Sequence, residues 1–405
     1  MTTLLNRLFG SLTRQLNRPI ARSNQKVDVA LLWVTVLITA FSLLMIYSAS
    51  IAYAAKEVGS QYGYLSKQSM FVAAAVAACI LVFFLGKTRY YQKIMPFYFG
   101  GCFLLLMGVL ILGRSINGAT RWIHAGPINI QPTEFFKLAV ILYLAGLFIR
   151  RAEMLEGFKL NRAWLKQYWA KLLLPMVILG ACVGLIMLQP DFGSTVVIMV
   201  ITVGMLFLTR FPLKVLAALF GMLAVGGTLA VMTSPYRMAR IHGFLNPWED
   251  PWGKGYQLTH SLMAIGRGGW LGEGLGASLE KRFYLPEAHT DFIFAVVAEE
   301  FGLLGLCLLV AAYVWIVVRA FSIGTQAQKL GFSFNGNVAY GIGIWIGIQS
   351  FFNLGVNLGM FPTKGLPLPL MSYGGSSVFM MLLTITMLLR IDYENRQKLR
   401  GFQVE

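Results

Sequence analysis

The sequence predicts an all-α, polytopic membrane protein of about ten spans with one large loop between the seventh and eighth. Two observations carry that prediction. Of 405 residues, 57% are apolar and only 13% charged, where a soluble chain carries about a quarter charged residues. Apolar runs long enough to cross a bilayer also recur from one end to the other.

The elements follow in order. Residues 1–28 form a basic tail in which Leu4, Leu5, Leu8, Leu12 and Leu16 share one helical face and Arg7, Arg14 and Arg18 lie elsewhere, the pattern of a helix resting on anionic lipid. The first run, 29–53, is too long for a signal-peptide core and reads as a retained span. Further spans are expected at 68–86, 94–113, 134–149, 172–189, 192–209, 213–232, 292–318, 338–359 and 366–389, so that 29–389 is a single membrane domain and 390–405 a polar tail. Trp164, Tyr168 and Trp169 give the 150–171 loop an interfacial character.

With both termini placed in the cytoplasm, Lys and Arg favour the cytoplasmic side by roughly two to one, as the positive-inside rule expects. That bias accounts for most of the net charge of +17. It argues against nucleic-acid binding, because the basic residues occupy short loops and not a basic domain. Arg114, Arg121, Arg237, Arg240, Arg267, Lys281, Arg282 and Lys364 fall on the opposite, depleted side, which suits an anionic ligand. Cys79, Cys102, Cys182 and Cys307 lie inside apolar runs without paired spacing and read as small buried hydrophobes. No zinc site or disulfide framework is indicated.

The large loop, 233–290, is rich in Pro, Gly, Trp and Tyr, and Tyr256 to Ile265 reads as one short helix within it. A loop of this length is functional or disordered, and this one is too aromatic for disorder. Ser278 is expected to face solvent. The loop closes on LPEAHTDFIFAVVAEE, Leu285 to Glu300, which gathers Glu287, His289 and Asp291 at a water–membrane boundary and sets Glu299 and Glu300 inside the span. Thr290 and Asp291 could cap the helix that follows. A cap does not require the neighbouring acids, and acids at such a boundary are costly unless they have a role.

Three other motifs stand at the same side. In QPTEFFK, Thr133 can cap a helix, while Glu134 and Lys137 are three apart and can pair on one face. Either that pair neutralises itself, or Lys137 faces a cavity with Arg121 and holds a phosphate. QPDFGS is a tight turn in which Asp191 caps the next helix. In the ninth span Gln349, Asn353 and Asn357 precede PTKGLPLPLMSYGGSS, whose prolines and glycines leave backbone groups that must line a cavity or pack on protein. A ligand-facing role is expected there for Lys364, with Ser372 and Ser376.

NGATRWI, QPTEFFKLA, QPDFGS, FLNPWEDPWGKGYQLTHSLMAIGRGG, YLPEAHTDFIFAVVAEE and PTKGLPLPLMSYGGSS together resemble the signatures of the shape, elongation, division and sporulation family. They occur in family order along the whole chain, and their wording is similar to the division branch. Pro367 departs from the Thr more usual there, away from the charged positions. The resemblance implies a peptidoglycan glycosyltransferase acting on lipid II, an undecaprenyl-diphosphate disaccharide-pentapeptide. It also implies a division-specific class B penicillin-binding transpeptidase and other divisome proteins as partners, in the bacterial inner membrane at the septum. The family's essential Asp matches Asp291, its loop Glu matches Glu287, and its membrane-edge cations match Arg121, Lys137 and Lys364.

That chemistry needs a base and cations: Asp291 to take a proton, with Glu287 and His289 beside it. Arg121, Lys137, Lys364, Arg237 and Arg240, together with Glu134, Ser372 and Ser376, are the expected diphosphate and substrate ligands. A divalent cation (Mg or Mn) could bridge diphosphate and carboxylate, though no ligand spacing demands one. Two other readings stay open: a lipid II flippase, for which intramembrane Glu134, Lys137, Glu299 and Glu300 would line a polar path, and a non-catalytic divisome scaffold.

Overall fold

The computed structural model describes residues 25–57, 59–116, 119–125, 128–151, 177–208, 217, 221, 225–228 and 231–402. The amphipathic tail, the 152–171 part of the interfacial loop and most of the seventh expected span lie outside those residues.

Apolar composition makes the helices and backbone hydrogen bonding makes them obligatory, since a chain in lipid must satisfy its own N–H and C=O groups. The described elements are α1 (Val29–Glu57), α2 (Gly63–Leu85), α3 (Thr88–Leu112), β1 (Arg114–Ile116), β2 (Ala119–Ala125), β3 (Ile128–Ile130) and α4 (Pro132–Arg150). After them come α5 (Val177–Leu188), α6 (Phe192–Leu208), α7 (Pro235–Leu245), α8 (Tyr256–Gly268), α9 (Ile293–Lys329), α10 (Ser333–Asn357) and α11 (Gly375–Leu399). Seven of these are long and apolar enough to cross a membrane, and α5 and α6 are shorter apolar helices. The chain is therefore a multi-pass membrane protein. α4 and α11 are largely buried, whereas α2 presents most of its surface outward.

The antiparallel sheet β1-β2-β3 sits over one end of the bundle, with Ile123 paired to Ile130. The segment 231–292 stands at the same end, as its contacts with α9 and α10 show. At the opposite end residues 25–28 meet the last helix and α9: Arg396 and Arg400 donate to the Gln25 carbonyl, and Arg319 pairs with Asp28.

Two expected spans are corrected. The last helix begins at Gly375, not at 366, because Pro367, Pro369 and Gly374 keep 366–374 irregular. It then runs on to Leu399 through the expected polar tail, where Arg390–Glu394 and Arg396–Asp392 pair at i,i+4 (3.1 and 2.6 Å) and so stabilise the helix. The second correction concerns α9, which is broken at Gly302 (φ 64°). The glycine-rich segment after α8 repairs the break: Glu273 and Gly274 N–H donate to the carbonyls of Glu299 and Glu300. In return Leu303 and Leu304 N–H donate to Gly269 and Trp270. A Cβ at Gly302 or Gly272 would run into the facing backbone, so glycine is required on both sides.

Of the cysteines, Cys102 and Cys182 are buried as expected, Cys79 is half-buried, and Cys307 lies on the exposed apolar face of α9.

Candidate active site

Two adjoining cavities open at the loop end of the bundle. One, about 560 Å³, is mainly apolar and is bounded by Phe192 and Ile241 together with Arg121, Arg237, Arg240 and Lys364. The other, about 550 Å³, is polar and holds Asp291, Glu287, Gln257, Trp122 and Tyr373. Arg121, Arg240 and the strip Thr363-Lys364-Gly365 line both. Arg240 fixes that dividing strip by donating from Nη1 to the Thr363 carbonyl (2.8 Å).

Asp291 stands on the polar side. It does not cap α9: the cap position is Phe292, with no side-chain hydrogen bond, and Thr290 Oγ1 donates instead to Glu287 Oε2 (2.6 Å). Among the described residues nothing hydrogen-bonds to or pairs with the Asp291 carboxylate. Its burial, then the charge of Glu287, push that carboxyl up to about 7, against the opposing pull of Arg240 and Arg121. A carboxyl poised there is suited to take a proton at neutral pH.

Lys364, in the dividing strip, lines both cavities. Its ammonium lies 4.8 Å from the Phe192 ring centre and 5.5 Å from that of Phe352, with no carboxylate paired to it among the described residues. Burial lowers its pKa. Arg121 donates to the Pro190 carbonyl and lies 3.9 Å from Asp191. Asp191 caps α6 as expected, accepting from Ser194 N–H (3.2 Å).

Several expected site residues lie elsewhere. Lys137 and Glu134 are fully buried beneath the cavities. They pair at 2.7 Å, and Lys137 also donates to Gln349 Oε1 (2.9 Å). With its ammonium engaged this way, Lys137 does not face the cavity. Nor does Thr133 cap α4, since its hydroxyl bonds Asp191 instead (3.4 Å). Ser372 Oγ donates to the Thr290 carbonyl and accepts from Leu368 N–H. Ser376 Oγ donates to Asn129 O and accepts from Gln131 N–H. Both serines bind backbone, and it is Ser377 that lines the polar cavity.

His289 does not reach Asp291. Its ring sits among Tyr53, Tyr64 and Tyr373, with centroids 4.7–5.9 Å away, and burial holds its pKa below the ordinary value. Gln257, Trp122 and Tyr373 of the cavity were not singled out from the sequence; nothing in their spacing distinguishes them from other loop residues.

The intramembrane acids have partners. Glu299 accepts from Arg267 (2.7 Å), Ser278 Oγ (2.5 Å) and Leu279 N–H (3.0 Å). Glu300 accepts from Lys281 (2.6 Å) and Ser48 (2.7 Å). They fasten the 278–281 segment to α9. Ser278 is consequently buried, not solvent-facing. No cluster of three or more His, Cys, Asp or Glu fit to hold a metal occurs among the described residues.

A family model described as "Cell cycle protein", covering FtsW, RodA and SpoVE, matches residues 29–397. The chain belongs to this shape, elongation, division and sporulation family. It is 56% identical to a probable peptidoglycan glycosyltransferase FtsW of Neisseria gonorrhoeae, over 97% of this chain and 90% of that one. With its Nitrosomonas europaea counterpart it shares 43%, over 95% and 97%. Among solved structures it resembles a chain from a peptidoglycan synthase complex described as coordinating polymerization and crosslinking (TM-score 0.70, 31% identity, 92% of this chain and 99% of that one). It also resembles the rod shape determining protein RodA of Thermus thermophilus (TM-score 0.64, 28% identity, 92% and 97%).

Proposed function

We propose that this chain is a peptidoglycan glycosyltransferase that polymerises lipid II into glycan strands during septal wall synthesis, with Asp291 as its base. The observation that carries this reading is the Asp291 carboxylate lining a polar cavity, with no hydrogen bond or ion pair to it among the described residues, beside the strip that holds Lys364. The relatives' names give the activity class.

The division of the site suits the reaction. A sugar hydroxyl of one lipid II, in the polar cavity, loses its proton to Asp291 as its oxygen attacks the anomeric carbon of a second. The bond from that carbon to the diphosphate oxygen breaks, and the lipid diphosphate leaves with the electron pair. Its charge develops beside Arg121, Arg237, Arg240 and Lys364, which are already in place and so need no reorganisation. The apolar wall of the neighbouring cavity suits the first prenyl units. A single displacement, with no covalent enzyme intermediate, inverts the anomeric centre. The described residues around the cavities do not fit a divalent cation (Mg or Mn): no group of three or more His, Cys, Asp or Glu able to hold one occurs among them, and the Asp291 carboxylate is kept for the proton.

The flippase reading draws on Glu134, Lys137, Glu299 and Glu300, and each of the four is ion-paired within the protein. Charge bias puts the loop end outside the cytoplasm and both chain ends inside, so substrate is used on the outer leaflet of the inner membrane. The division-specific class B penicillin-binding transpeptidase and other divisome proteins are the fitting partners.

The test is polymerisation by the purified chain with that transpeptidase in detergent, where no leaflet exists to flip across. Glycan strands are expected; their absence with an otherwise functional partner would overturn the enzyme reading.

A further inference from the structure

Helix α10 carries three amides at i, i+4 and i+8, Gln349, Asn353 and Asn357, which share one face. All are buried and none lines either cavity. Each donates to the backbone of the irregular segments that form the site. Asn353 Nδ2 donates to the carbonyls of Asp291 (2.9 Å) and Leu366 (2.7 Å). Asn357 Nδ2 donates to the same Asp291 carbonyl (3.1 Å) and to that of Asn353 (2.9 Å). Gln349 Nε2 donates to the Pro367 carbonyl (2.8 Å).

Chemistry fixes the orientation of these amides. The partners of the two Asn nitrogens are carbonyl oxygens, which only accept. Gln349 Oε1 faces the Lys137 ammonium and the Trp345 indole N–H (2.9 and 2.7 Å), which only donate. A flipped amide would set like against like in each case. Lys137 therefore acts at a distance, by holding Gln349 with its NH2 toward Pro367.

The catalytic segment is gripped at three successive carbonyls: His289 accepts from Tyr373 N–H (2.9 Å), Thr290 from Ser372 Oγ (2.5 Å) and Asp291 from the two asparagines. A segment without helical or strand hydrogen bonds of its own is thus tied down residue by residue.

We infer that Asn353 and Asn357 are positioning residues of the transfer reaction. They tie the Asp291 main chain to the Leu366 main chain, and so hold the base and the Lys364 strip in one fixed relation across the cavity. This rests on Asp291 being the base. A misplacement of about 1 Å costs on the order of 100-fold in rate, which sets the scale of the effect.

The experiment is lipid II polymerisation in detergent, with the transpeptidase partner present, by wild type, Asp291→Asn, Asn353→Leu and Asn357→Leu, each measured from pH 5.5 to 9. Leucine keeps the four side-chain heavy atoms and the branch at Cγ and removes the donors. Asn353→Leu is expected to lose about 100-fold in kcat with KM for lipid II within about twofold, and the acid limb of its pH profile should move to lower pH as Asp291 gains solvent. Asn357→Leu, which leaves the Asn353 bonds to Asp291 and Leu366 in place, should show the same split to a smaller degree, and it carries the comparison if Asn353→Leu does not fold. Wild-type kcat in a folded variant would overturn the inference. So would a loss that merely follows the fraction of folded protein with the acid limb unmoved. Polymerisation by Asp291→Asn would instead overturn the base assignment, so the two failures are distinct.

Discussion

Asp291 and the pair Glu299–Glu300 belong to one stretch of chain at the mouth of α9, yet their surroundings differ in kind. Glu299 and Glu300 are buried and meet cations, hydroxyls and backbone N–H groups at hydrogen-bonding distance. Asp291 has its carbonyl bound by two asparagines and, among the described residues, nothing bonded to its carboxylate. A buried acid that is fully partnered holds structure, because removing one partner strands the other. An acid fixed by its backbone, with its carboxylate turned to a cavity, is available for chemistry. Charge at a membrane boundary does not separate these cases; the partners do.

The comparison breaks most visibly at Glu300. Glu300→Ala leaves the buried Lys281 ammonium without its counter-charge, with only the Ser48 hydroxyl still bonded to it, and is expected to cost about 5 kcal/mol, the upper end for a broken buried pair. Thermal unfolding in detergent measures this. An unchanged Tm would mean that the 278–281 segment is not fastened there. Lys137→Met should cost less, about 3 kcal/mol, the lower end for a broken buried pair, because Gln349 keeps the Trp345 donor when the ammonium is lost. Adding Glu134→Gln should restore most of that stability. Polymerisation should return in part, since Gln349 keeps its Trp345 donor. A double variant that is stable yet wholly inactive would show that Lys137 meets substrate directly.

The smallest expected effect concerns topology. Ala277 is exposed beside the buried Ser278, so Ala277→Cys should react with an impermeant thiol reagent applied outside the cytoplasm. Ser333→Cys, at the opposite end, should not. Neither substitution should shift Tm measurably, and the reverse labelling pattern would put Asp291 on the cytoplasmic side.

The helical class was legible because apolar runs have one physical meaning in lipid. The α9 break was not, since it depends on Gly302 meeting Gly272, a contact between distant segments. At the site, Asp291, Glu287, Arg121, Arg237, Arg240 and Lys364 do come together, from motifs whose charge lies on the side the positive-inside rule depletes. Lys137, Glu134, Ser372 and Ser376 were indistinguishable from them in sequence, because a buried bond to Gln349 or to a carbonyl leaves no mark on residue type. The Gln349, Asn353, Asn357 spacing was visible; what those amides hold was not, until 289–291 and 366–374 were seen to meet on α10.

The central claim is that Asp291 serves chemistry and its neighbours serve structure. Asp291→Asn tests it directly when polymerisation and Tm are measured on one preparation across pH. Asn keeps the size of Asp and cannot accept a proton at neutral pH. The native carboxyl, held up to about 7, is above its unfolded value, so ionising it costs the native state stability as pH rises from about 4 to 7. The account predicts no glycan at any pH. It predicts a Tm equal to wild type near pH 4 and above it at pH 8, while wild-type activity rises through pH 7. Glycan made at the wild-type rate, or a Tm that falls as it does for Glu300→Ala, would contradict it.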